Sequence, residues 1–169
     1  GMVYYVRENQ LPENRVEMRL VVNAGSLQEN SNQRGLAHFA EHMAFNGTRH
    51  FKKKELVDVL ERMGIRFGAD LNAYTSFDET LYMLQVPSDK QNLLDTAWLV
   101  LEDWSRNIRF DSVEIEKERG VIEEEWRLGM GAQQRMREEY IPVILKGSRY
   151  AKRLPIGKID IIRNFSHEE

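Results

Sequence analysis

The amino-acid sequence predicts an α/β (α+β) fold, an antiparallel sheet with helices packed on it. Two observations carry the prediction. Runs rich in β-branched and aromatic residues come in pairs around short polar turns, the spacing of hairpins. Longer runs repeat apolar residues at i, i+3, i+4 and i+7, the stripe of a helix laid on a core. With 169 residues, 41% hydrophobic and 30% charged, the chain reads as a single globular domain or most of one.

Taken in order, residues 2–6 and 17–23 are predicted strands joined by a polar turn at 9–14, and Ala24-Gly25-Ser26 breaks the second. A polar loop leads into a helix whose N-cap is expected at Asn32 and whose end is expected at Gly47. Residues 53–63 form a second helix with Leu56, Val57, Leu60 and Met63 as its stripe, closed by Gly64. Residues 71–76 pair with 80–86 in a hairpin that turns near Phe77-Asp78 and stops at Pro87. Residues 91–106 form a helix with Leu94, Ala97, Trp98 and Leu101 inward, where Trp98 and Trp104 read as packing residues. Asp111-Ser112 opens a long helix to about Leu128, broken by Gly129-Met130-Gly131. A helix over 132–145 is bent or interrupted by Pro142, a loop covers 147–157, and a short helix covers 158–163. Ser166 and Glu169 have capping-box spacing, so the chain is expected to stop in mid-domain.

The first helix holds the sequence His38-Phe39-Ala40-Glu41-His42. Helical positions i, i+3 and i+4 share a face, so His38, Glu41 and His42 point one way, while Leu36, Phe39, Ala40 and Met43 form an apolar stripe on the other. Two imidazoles one turn apart reach a single Zn²⁺ at about 2.0–2.1 Å, and a carboxylate beside them can act as general base on a metal-bound water. Of the remaining histidines, His50 and His167 have no such company and are assigned no role. The bland alternative is a pair of surface histidines on an amphipathic helix.

Catalytic zinc takes three protein ligands and leaves one position open. The chain has no cysteine, which excludes disulfides, thiolate zinc ligands and a thiolate nucleophile, so a carboxylate is expected third. On the long helix Glu118 and Glu125 lie seven residues apart, about 20° from a common face, with Val121 and Ile122 between them; that face is expected inward, and Glu123 and Glu124 outward. Helical spacing leaves both Glu118 and Glu125 as candidates, against the alternative that either is paired to Arg119 or Arg127. A net charge of −3 gives no basis for a nucleic-acid partner, and no apolar run approaches the length of a membrane span.

The run Gly35-Leu36-Ala37-His38-Phe39-Ala40-Glu41-His42-Met43-Ala44-Phe45-Asn46-Gly47-Thr48 resembles the corresponding segment of the pitrilysin/insulinase family of zinc peptidases, the inverzincins, whose H-x-x-E-H is HExxH reversed. Glu118-Arg119-Gly120-Val121-Ile122-Glu123-Glu124-Glu125-Trp126 resembles the family segment in which a supporting Glu is followed, seven residues on, by the ligand Glu. The resemblance implies His38, His42 and Glu125 as zinc ligands, Glu41 as general base and Glu118 as supporting carboxylate. Leu71-Asn72-Ala73-Tyr74-Thr75-Ser76 resembles the family's active-site edge strand, which implies that Asn72, Ala73 and Tyr74 hold an extended peptide by its backbone.

The similarity runs from residue 1 to 169 and points to the bacterial zinc-protease branch related to the PQQ-associated peptidases. It implies a half-domain of the pitrilysin/mitochondrial processing peptidase type and a zinc-dependent endopeptidase acting on extended peptides. It also implies a second homologous domain, of the same chain or subunit, that closes over the site, and a periplasmic or cell-envelope address. The family domain continues past residue 169, so the isolated chain is expected to have little or no activity. The span from His42 to Glu125 is a few residues longer than is usual, an excess expected near 64–70 or 87–91. Two other readings compete: a quorum-sensing lyase, whose third ligand is a Cys that this chain lacks, and a non-catalytic binding or scaffold half.

Overall fold

The computed structural model describes residues 1–53, 55–62 and 64–168. Its sheet has three antiparallel strands in the order β1-β3-β2: β1 (Arg15–Val22), β2 (Leu71–Thr75) and β3 (Thr80–Pro87). Side chains alternate across a strand, so the register sets the buried face. Met18 pairs with Leu84 and Leu84 with Leu71, and all three are buried. The expected hairpin is present, with Thr75 opposite Thr80.

Six α-helices accompany the sheet among the described residues: α1 (Leu36–Asn46), α2 (Glu55–Arg62), α3 (Gln91–Arg106), α4 (Ser112–Gly129), α5 (Ala132–Ile144) and α6 (Ile159–Asn164). One core joins the sheet to α2 and α3 through Leu56, Leu60, Tyr82, Ala97, Val100 and Trp104. The other joins α1, α4 and α6 through Phe39, Met43, Ile115, Ile122 and Ile162. Helix α1 belongs to both, because Ala44 on it packs into the first. Trp104 stacks on Tyr82 and donates its indole N–H to the Ala44 carbonyl at 3.2 Å.

Several expectations are corrected. Residues 2–6 form no strand and Met2 to Val6 are exposed; β propensity needs a sheet edge to pair with, and this run meets none among the described residues. The inward face of α3 carries Leu93, Ala97, Val100 and Trp104, while Trp98 is 61% exposed. With apolar residues at both 93 and 94, the stripe could be phased either way, and one residue turns it by about 100°. Helix α2 is described over Glu55–Arg62, and Lys53, expected to open it, has a left-handed conformation (φ 49°) that no helix continues; residue 54 and Met63 lie outside the described residues, as does the Glu169 of the expected capping box. The loop expected at 147–157 contains a 3₁₀ turn, Arg149–Lys152.

Candidate metal centre

Beside its apolar stripe, α1 presents His42 to Glu118 of α4 and Glu41 to Thr75 at the end of β2. His38 Nε2 and His42 Nε2 lie 3.2 Å apart, and Glu125 Oε2, from α4, lies 3.8 Å from the first and 3.4 Å from the second. Donors on a tetrahedral zinc with bonds of about 2.0–2.1 Å sit about 3.3–3.4 Å apart, so this triangle fits the ion. The chemistry fits as well, being two imidazoles and a carboxylate.

Glu118, one helical repeat before Glu125, does something different. Its Oε1 accepts the Nδ1–H of His42 at 2.7 Å and its Oε2 accepts the Asn46 amide at 2.5 Å. A carboxylate on Nδ1 fixes the tautomer and leaves the Nε2 lone pair free for a metal. Both glutamates were expected to face inward, with Val121 and Ile122 between them. Ile122 and Glu118 are buried, but Val121 is 51% exposed and the Glu125 side chain 49%. The buried arc of α4 is centred on Ile115, Glu118, Arg119 and Ile122, and Glu125 stands at its margin, open to the cleft. Arg119 and Arg127 pair elsewhere, with Glu116 and Glu124. Glu124 is exposed as expected, whereas Glu123 is half-buried and paired to Arg163.

Glu41 is buried, and its Oε2 accepts the Thr75 hydroxyl at 2.6 Å. Burial pushes its carboxyl up despite that bond, the direction a general base working near neutrality requires. Burial lowers the His38 imidazole, and a positive His42 lowers it further. Burial also opposes a charge on His42, but hydrogen bonds to Glu118 and Glu125 outweigh it and push the group up to about 9. The hydrogen bond from His42 in turn holds Glu125 below the usual carboxylate range. These bonds favour the charged imidazolium, with a proton on Nε2 besides the one on Nδ1, and a metal at Nε2 would displace the former.

A cleft of about 350 Å³ is lined by these groups on one side, by Ala73, Tyr74 and Thr75 of β2, and by Pro155 and Ile156. Asn72 is exposed on the same strand, outside that lining, and its side-chain oxygen accepts the Ala73 N–H at 2.9 Å. Helix α1 does not begin at Asn32. It begins after Gly35, whose φ of 103° only glycine adopts readily, and Glu29 receives its first N–H groups. Gly47 does close it. Sequence reasoning missed Thr75, Asn46 and Glu29 at this site, and Pro155 and Ile156 in the cleft wall. Thr75 and Asn46 sit inside motifs already singled out, yet nothing in spacing marks the partners they meet.

A family model described as Insulinase (Peptidase family M16) matches residues 4–150. The probable zinc protease PqqL of Haemophilus influenzae is 41% identical over 166 residues, which cover 98% of this chain and 18% of that protein. The zinc protease PQQL-like of Arabidopsis thaliana is 43% identical over 164 residues, covering 97% and 17%. The crystal structure of the first half of the periplasmic protease PqqL from Escherichia coli superposes with a TM-score of 0.89 at 39% identity, over 93% of this chain and 34% of that one. The chain thus spans under a fifth of the length of these two curated relatives.

Proposed function

The chain belongs to the insulinase family of peptidases, M16, and on that premise we propose that it carries the metal centre of a zinc-dependent endopeptidase of the H-x-x-E-H type. His38, His42 and Glu125 would hold the ion, and the observation that carries this is the triangle of their three donor atoms, with edges of 3.2, 3.4 and 3.8 Å. Zinc bound there supplies Lewis-acid polarisation of a peptide carbonyl and lowers the pKa of a water in the site.

The chain's own residues do the rest. Thr75 holds one oxygen of Glu41, which leaves the other to take a proton from the attacking water. As the water oxygen bonds to the carbonyl carbon and the C–N bond breaks, Glu41 returns that proton to the leaving amine. Glu118 keeps His42 in the tautomer that offers Nε2. Strand β2 stands at the edge of the sheet beside β3, and Asn72, Ala73 and Tyr74 would receive an extended peptide along it as an added strand. The partner expected across the cleft is a second homologous domain of the same chain or subunit, so the isolated chain should have little or no activity. The E. coli relative's periplasmic description supports a periplasmic or cell-envelope address here.

The test is zinc per chain after dialysis against trace zinc, for the wild type and Glu125→Gln. About one zinc in the wild type and little in the variant supports the reading; no zinc in a folded wild type refutes it. In the complete protein, Glu41→Gln should retain zinc and lose hydrolysis of a quenched fluorescent peptide.

A further inference from the structure

Helix α1 has no side-chain bond at its N-cap and no acidic residue in its first turn. Glu29, six residues upstream of Gly35 and only 6% exposed, takes both roles. Its Oε1 accepts the N–H of Gly35 at 3.0 Å and of Ala37 at 2.9 Å, while its buried Oε2 has no hydrogen-bond partner among the described residues. Burial pushes the Glu29 carboxyl up, and the N–H groups of Ala37 and Gly35 with the charges of Arg153 and Arg34 oppose that rise only in part.

The same residue is tied to a distant segment. The Glu29 carbonyl accepts from Arg149 and from Arg153 Nε at 3.1 Å, and the Ser26 hydroxyl donates to the Arg153 carbonyl at 2.5 Å. Further on, Lys158 N–H donates to the Arg34 carbonyl at 3.2 Å. Gly157 (φ 76°) lies directly against Gly35: a Cβ on Gly157 would stand 2.3 Å from the Gly35 Cα, so this backbone contact has no room for a side chain. Residues 149–158 are thereby fastened at both ends to the loop entering α1, and Pro155 and Ile156 between the fastenings line the cleft. Most of this segment falls beyond the match to the family model, which ends at residue 150.

We propose that Glu29 is a positioning residue for the metal centre, which, braced by residues 149–158, sets the first turn of α1 and with it the reach of His38 towards Glu125. The proposal rests on the reading that His38, His42 and Glu125 hold zinc. Ala37 precedes His38 directly, so releasing its N–H frees the turn that carries this ligand. His38 also forms the longest edge of the donor triangle, 3.8 Å to Glu125, and has the least slack to lose.

The experiment measures zinc affinity of the 169-residue chain, using zinc chloride against a chromophoric chelator at a temperature where circular dichroism shows it fully folded. Glu29→Ala should bind zinc about tenfold more weakly, with a melting temperature lower by about 3 °C. Glu29→Gln, which keeps an accepting oxygen, should recover most of the affinity. The control is Asp111→Ala, which removes the cap of α4 (Asp111 accepts from Val113 and Glu114) and should lower the melting temperature similarly without changing zinc affinity. Wild-type affinity in Glu29→Ala, or an equal loss in Asp111→Ala, overturns the proposal. Should Glu29→Ala fail to fold, Arg153→Lys decides: a smaller loss in the same direction supports the brace and unchanged affinity overturns it. A wild type that binds no more zinc than Glu125→Gln overturns the underlying reading and the brace together.

Discussion

His42 and His50 each donate an Nδ1–H to a buried carboxylate, the first to Glu118 at 2.7 Å and the second to Asp103 at 2.9 Å, yet the surroundings of the two pairs differ. Asp103 also accepts the Thr48 hydroxyl, the His50 backbone N–H and the Asn107 amide, so its lone pairs are spent on closing the turn that follows α1. Among the described residues no further donor set converges on the His50 ring. On the other pair, the outer nitrogen of His42 meets His38 and Glu125, and among the described residues these three alone bring three metal-competent atoms together. An imidazole on a carboxylate is thus a common structural device. What singles out a candidate centre is a set of donor atoms crowded together with their bonding capacity unspent.

The contrast can be broken most sharply at the histidines. His42→Ala should abolish stoichiometric zinc binding, whereas His50→Ala should leave it intact; loss in both would mean that the helix, and not the donor set, is being measured. Next come the carboxylates. Glu118→Gln should weaken zinc by about 10–100-fold, read by chelator competition, with little change in melting temperature. Asp103→Asn should do the reverse, costing about 3 kcal/mol, or on the order of 8 °C in a thermal melt, while the folded fraction keeps wild-type zinc affinity.

A smaller effect is expected on hydrolysis by the complete protein. Thr75→Val should lower kcat by about tenfold with KM and zinc content unchanged, and Thr75→Ser should restore it. The smallest concerns acid. Burial opposes a charge on Asp103, but its four donors outweigh burial and hold the carboxyl below the usual range. That contribution to stability is complete above the ordinary aspartate value of about 3.9 and is lost as pH falls through the lower folded value. Urea titrations from pH 5 down to pH 3 should show this component in the wild type and not in Asp103→Asn.

The histidine face was legible because it is local: three residues within one helical turn obey backbone geometry alone. Spacing on α4 reduced the candidates for a third ligand to Glu118 and Glu125, and resemblance chose between them; in the structure an oxygen of Glu125 lies near both imidazoles, while Glu118 bonds to His42 Nδ1. What sequence could not offer were meetings across the chain, such as Thr75 with Glu41 or Arg153 with Glu29, which depend on packing between elements far apart. The misplaced strand at 2–6 and the exposed Trp98 have a related cause. Residue preference identifies a surface that wants burying, and only tertiary contact decides whether a partner is there.

Helix α1 gives Ala44 to one core and Phe39 and Met43 to the other. The face of His38 and His42 therefore rides on the seam between two interiors. A change of side-chain volume in either interior is therefore a change in the support of the same two imidazoles.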